Sequence, residues 1–213
     1  MSRISTLADF GLGAGPFAED RIYTQYTPTA NYLVQRATTI RGRFATLTTP
    51  ILVAGCGVGT LVKLLKDLGY TNVWGNDAST ELINYGKTLY PDIASRLLVA
   101  NCLNNSGNAL PSMTGVRRAA GLTGNNRFTV LITDDMLTVM SNAEVATALP
   151  ILRATGSTLI HVLWPKIADN VPPQDPSLNW KTVPTEWQAT IGNGEWVMDA
   201  ITGVIYGANG API

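Results

Sequence analysis

Between residues 51 and 163 short apolar runs alternate with stretches whose apolar positions recur every three or four residues. The runs at 51–54, 73–74, 97–100, 128–133 and 157–163 read as strands. The segments between them read as helices. Leu61, Leu64, Leu65 and Leu68 form one stripe, with Lys63, Lys66 and Asp67 outward and Gly69 as the stop. Ser79 caps a second helix that runs through Leu82, Ile83 and Tyr85 to about residue 89, although no capping-box acid follows it. A third helix is expected over 142–154. The long polar excursion at 104–126 reads as loop with a short helical stretch near 116–120.

Upstream, residues 1–18 are rich in glycine and small side chains and show no period. Thr27 and Pro28 then look like an N-cap and first-turn proline, opening a helix to about residue 40 whose apolar face is Tyr32, Leu33, Ala37 and Ile40. Downstream, Pro172, Pro173, Pro176 and Pro184 interrupt any long helix. Short strands are expected at 187–191, 195–199 and 203–206, the last two as an antiparallel hairpin. Strand and helix in alternation imply a mostly parallel sheet covered on both faces: a single-domain, three-layer α/β/α arrangement.

Composition narrows the partners. The chain has 213 residues and is 46% hydrophobic, enough for one substantial core. Fifteen basic and fifteen acidic side chains cancel, so no global field draws the chain to a nucleic acid or an anionic membrane. No apolar stretch reaches the ~20 residues of a membrane helix, and 1–17 lacks the pattern of a signal peptide. A cytoplasmic, soluble protein is expected. Cys56, Cys102 and the single His161 offer no metal-ligand spacing, so no metal is expected. Charged residues are only 14%, with threonine, alanine and asparagine in their place, which keeps an assembly role open.

The densest chemical signal is Ile51-Leu52-Val53-Ala54-Gly55-Cys56-Gly57-Val58-Gly59-Thr60, followed by Gly75-Asn76-Asp77-Ala78-Ser79. A strand turns through glycines into a helix, and the next strand ends on a carboxylate. Glycines permit positive φ and close backbone approach; an acid at that strand end accepts both hydroxyl protons of a ribose. The alternative is a tight turn beside a solvated strand end. A dinucleotide loop needs a third glycine where this chain has Thr60, which counts against an oxidoreductase.

The G-x-G-x-G spacing and the Asp77-Ala78 strand end resemble the class I methyltransferases that use S-adenosylmethionine, over about residues 51–163. That resemblance implies a Rossmann-like methyltransferase fold, with residues 1–50 as a lid or substrate cap on a core spanning 51–213. It implies S-adenosylmethionine as cofactor, with Gly55, Cys56, Gly57 and Gly59 under its methionine and ribose portion and Asp77 on the ribose. Ala78 would lie beside the adenine, Asn101 and Cys102 at its amino group, and Asp134 near the methyl-transfer site. Two positions depart from the pattern. Val53 stands where the first motif often opens on an acid, and Asn101 where aspartate is commoner.

Transfer from a sulfonium is an in-line displacement with a neutral leaving group, so alignment matters more than acid or base. Where an acceptor must lose a proton, Asp134, Asp135 and His161 are the candidate catalytic groups. His161, among apolar neighbours, also reads as a core histidine, and both cysteines as buried structural thiols. Asp134-Asp135-Met136-Leu137 is unlike the Asp/Asn-Pro-Pro-Tyr/Phe motif of amino-methylating DNA enzymes, and no cysteine beyond Cys102 serves a cytosine mechanism. The acceptor is therefore expected to be a small molecule or a protein side chain, met by the Pro-rich segment 165–190 with Trp180 and Trp187. Trp164 precedes that segment; Tyr23 and Tyr26 are read either as a closing arm or as ordinary packing. A non-catalytic binding or assembly protein, possible in a viral particle, is the second reading. Oligomeric state is not set by the sequence.

Overall fold

A computed structural model of the chain describes residues 32–134, 136–163, 195–199, 202–207 and 211–213. Its centre is β1 (Ile51–Ala54), paired in parallel with β2 (Val73–Asp77) on one side and β4 (Phe128–Asp134) on the other. β3 (Leu97–Val99) lies outside β2, and β5 (Gly156–Leu163) outside β4. β6 (Trp196–Asp199) runs parallel to β5, and β7 (Ile205–Tyr206) closes the sheet antiparallel to β6. The order of the seven strands is thus β3-β2-β1-β4-β5-β6-β7. Sequence order reverses between β1 and β4, which opens a crevice at the carboxyl ends of those strands.

All four β1 residues are buried because successive side chains enter opposite layers. Ile51 and Val53 join the core under α1 (Tyr32–Arg43), α2 (Thr60–Asp67) and α3 (Thr80–Leu89), through Leu33, Ala37, Ile40, Leu61, Leu65 and Leu82. Leu52 and Ala54 join the core under α4 (Met113–Ala119) and α5 (Asn142–Thr155), through Met113, Val116, Val145, Ala148 and Leu152. Three layers result. The mostly parallel sheet with an antiparallel C-terminal hairpin expected from the sequence is present.

Local differences have physical causes. α1 continues to Arg43, past residue 40, and its buried face includes Arg36 as well as Leu33, Ala37 and Ile40. In α2 the stripe turns so that Val62 is buried and Leu68, the C-cap, is exposed. A 3-10 helix over Pro91–Arg96, started by its proline, leads into β3, and a second covers Met136–Val139. α5 carries a full capping box: the Ser141 hydroxyl accepts the Glu144 N–H, and the Glu144 carboxylate accepts the Ser141 N–H. The arm at 1–18, Tyr23, Tyr26, the Thr27-Pro28 cap, Asp135, Trp164, the 165–190 segment with Trp180 and Trp187, and the strand expected at 187–191 lie outside the described residues.

Helix α3 approaches the glycine turn at Gly86, where an added Cβ would run into the Val58 carbonyl oxygen. In a helix interior alanine is preferred over glycine by about 1 kcal/mol, so a loss on substitution reports that contact. Gly86→Ala is expected to destabilise the chain by about 1–3 kcal/mol through overpacking, read as a lower urea midpoint at unchanged slope.

Candidate functional site

The turn after β1 carries Gly55, Gly57 and Gly59 at φ of 71°, 56° and 91°, conformations that side-chain-bearing residues rarely adopt. It is held by the end of β2. The Asn76 carbonyl accepts the N–H of both Gly55 and Cys56, at 2.8 and 3.0 Å. The Asp77 carboxylate accepts the Gly57 N–H at 3.1 Å through Oδ2 and the Ser79 N–H at 2.8 Å through Oδ1. Burial raises the Asp77 carboxyl above its ordinary range, while the N–H groups of Ser79, Gly57 and Ala78 pull it back.

Each glycine has its own reason. A Cβ on Gly55 would sit 2.7 Å from the Met136 Cβ, and one on Gly59 would sit 2.7 Å from a Leu97 methyl. Protein side chains therefore fill two of the spaces that the missing Cβ atoms leave. Gly57 instead turns its N–H to Asp77. Cys56 points into the core, against Gly75, where a Cβ would lie 2.8 Å from its sulfur.

Met136 links the turn to the end of β3. Its Sδ lies 3.2 Å from the Cys102 Sγ, and burial, with the Asp77 charge adding to it, pushes that thiol up to about 12. Cys102 is thus a protonated, buried thiol, unsuited to nucleophilic work. Beside it, the Asn101 Oδ1 accepts the Leu103 N–H at 2.9 Å. Ala78 is half-buried directly after Asp77. The Asn76 Nδ2 donates to the Ala100 carbonyl, while its Oδ1 is buried without a partner.

The three catalytic candidates fare differently. Asp134 lies level with Gly55, because Ala54 pairs with Thr133 across the β1–β4 ladder, but its carboxylate is buried against Arg36 at 2.7 Å. His161 is fully buried and both ring nitrogens are engaged: Nδ1 with the Thr133 hydroxyl at 2.9 Å and Nε2 with the Glu195 carboxylate at 3.0 Å. Arg153 completes that network by donating to Glu195 at 2.6 Å. Burial works to raise Glu195, but His161 and Arg153 outweigh it and hold the carboxyl below the usual glutamate range. An ionised Glu195 is the acceptor for Nε2, and the Nδ1 atom and the Thr133 hydroxyl share a hydrogen bond. Asp135 lies outside the described residues.

The fold therefore brings Gly55, Gly57, Gly59, Asp77, Cys102 and Asp134 to one end of the sheet, whereas the polar partners of His161 within the described residues are Thr133 and Glu195. Sequence reasoning missed Arg36 and Glu195, and took Met136 only as part of the stretch after the fourth strand, not as the side chain packed on Gly55. Arg36 follows Leu33 by three and precedes Ile40 by four, so helical period alone marks its buried position.

The chain has a three-layer, Rossmann-like α/β/α fold, with a mostly parallel seven-stranded sheet that closes on an antiparallel C-terminal hairpin. No protein-family model matches its sequence, and no curated protein does at a significant level. Among solved structures it is similar to magnesium protoporphyrin IX methyltransferase from Synechocystis with bound S-adenosylhomocysteine, at TM-score 0.48 and 16% identity over 71% of this chain and 62% of that one. A protein from Pyrococcus horikoshii gives TM-score 0.48 and 17% identity over 64% and 54% of the two chains. A TehB-like methyltransferase from Corynebacterium glutamicum gives 0.42 and 22% over 57% and 56%. The matched region thus spans less than two thirds of each of these three proteins, 62%, 54% and 56% of their length. Among the described residues no helix is long and apolar enough to cross a membrane.

Two outcomes are expected from the buried charges. Arg36→Met leaves the Asp134 carboxylate without its cation and costs about 3–5 kcal/mol, most of it recovered in Arg36→Met/Asp134→Leu, as read by a urea double-mutant cycle. Because the Glu195 pKa is lowered on folding, its contribution is present above the unfolded value of 4.5 and lost as pH falls through the lower folded value. The stability gap between the native chain and Glu195→Gln should accordingly be largest above pH 4.5 and shrink below it.

Proposed function

We propose that the chain is an S-adenosylmethionine-dependent methyltransferase acting on a small molecule or a protein side chain. The observation that carries this reading is the junction of the Gly57 N–H with the Asp77 carboxylate at the crevice where strand order reverses. Both Asp77 oxygens accept backbone N–H groups, with Ala78 acting beside Gly57 and Ser79, and the carboxylate keeps acceptor capacity beyond them. A ribose diol is the group that such a carboxylate suits, and the donor set fits it. Gly55, Gly57 and Gly59 would hold the methionine side and Asp77 the ribose, with Ala78, Asn101 and Cys102 toward the base. When bound, the cofactor supplies an electrophilic methyl on a sulfonium.

This chain's residues then bind, orient and exclude water. Asp134 enters as the partner of Arg36, holding the floor of the crevice, more than as a base. Asp135 remains the candidate for handling an acceptor proton, whereas His161, fully buried with both ring nitrogens engaged, is held away from that role. Acceptor recognition is assigned to 165–190 and a capping role to 1–50, on the Trp-bearing, Pro-rich composition of the first and the glycine-rich arm of the second. Two buried free cysteines suit a reducing, cytoplasmic setting.

Isothermal calorimetry with S-adenosylmethionine and S-adenosylhomocysteine tests the reading. Heat at 1:1 stoichiometry is expected; silence with both ligands sinks it. Asp77→Ala should weaken either ligand roughly 30- to 150-fold, the equivalent of ~2–3 kcal/mol of charge-assisted hydrogen bonding. Since Asp77 also holds two backbone N–H groups, the variant's urea midpoint is measured beside its affinity. Binding without transfer to any acceptor would favour a non-catalytic role.

A further inference from the structure

At the end of β3 the chain presents a group that donates as well as accepts. The Leu103 N–H donates to the Asn101 side chain, and only the amide oxygen can receive it, so the orientation of the amide is fixed. Nδ2 of this half-buried side chain then has no hydrogen bond to any described residue. Among the described residues no carbonyl accepts the N–H of Cys102, the next residue. On Asn101 itself an amide donor and one spare oxygen lone pair lie together.

Their place follows from the sheet. Asp77 pairs with Val99, and the Ala100 N–H donates to the Asp77 carbonyl, so Asn101 stands at the neighbouring strand end just beyond the acid. β1, β2 and β3 are consecutive at about 4.8 Å. A nucleoside with its ribose on Asp77 and its 5′ substituent over the β1 turn must carry its base toward β3.

We propose that Asn101 makes base recognition permissive, so that the site takes S-nucleosyl ligands carrying a 6-oxo purine as well as those carrying adenine. This rests on the cofactor reading above. Adenine offers a donor at N6 beside the N7 acceptor, whereas a 6-oxo purine offers two acceptors, O6 and N7. A carboxylate at this position can only accept, so it would face O6 unpaired and exclude the oxo base. Asn101 meets either edge. Its Nδ2 donates to O6 or N7, and its Oδ1 keeps a lone pair for an N6 proton.

Calorimetry on the full chain compares S-adenosylhomocysteine with its deaminated counterpart, S-inosylhomocysteine. The native chain should bind the two within about fivefold, and Asn101→Asp should shift the ratio toward adenine by at least about tenfold, 1.4 kcal/mol. Aspartate keeps an oxygen for the Leu103 N–H, so the turn is retained in the variant. A native preference for adenine above about thirtyfold, or an unmoved ratio in Asn101→Asp, overturns the inference while leaving the cofactor reading in place. Heat with neither ligand overturns both.

Discussion

The end of β2 clamps the turn that follows β1, and the geometry of the crevice depends on that clamp. A turn with three residues at positive φ leaves its N–H groups without helix or ladder partners. Three such donors, with the Ser79 N–H from beyond β2, are gathered by two adjacent residues: the Asn76 carbonyl takes Gly55 and Cys56, and the Asp77 carboxylate takes Gly57 and Ser79. The same carboxylate thereby starts α3, whose cap at Ser79 fixes Leu82. Strand, turn and two helix starts are consequently one hydrogen-bonded unit. Asp77 would have a structural role whether or not a ribose ever reached it.

That double duty changes how the glycines are read. Were the loop shaped only for a ligand, its missing Cβ atoms would leave open space. Instead Met136 comes down on Gly55 and Leu97 on Gly59, while α3 presses Gly86 against Val58. Close packing around the loop fixes it before any ligand arrives, which is the condition for a backbone that must present N–H groups in fixed directions. Packing and binding therefore call for the same residue type here, and glycine spacing alone does not separate them.

The parts of this architecture that were legible in the sequence are those in which residues close along the chain act together. The period-2 and period-3.6 runs located the strands and helices, and Ser79 marked a helix start. What stayed hidden depends on distant partners. Arg36 pairs with Asp134 across 98 positions, His161 with Glu195 across 34, and Cys102 with Met136 across 34. A charge on an otherwise apolar helix face looks like an error of register until its counter-charge is found on another element. The site was legible in kind, as a turn and an acid, but not in its division of labour.

Electrostatics bears on which ligand suits the crevice. Asp134 is matched by Arg36, and Glu195 by Arg153 and His161. Asp77 is held by backbone N–H groups alone, with no cation of the described residues against it. Burial without a counter-charge is what raises its carboxyl. A ribose diol brought to this carboxylate meets an acceptor with no competing cation among the described residues, and because a dinucleotide offers such a diol too, the charge alone does not choose between the two ligand classes. What separates them is the turn itself, where Thr60 stands in place of the third glycine that lets a dinucleotide-binding helix lie close to its strand.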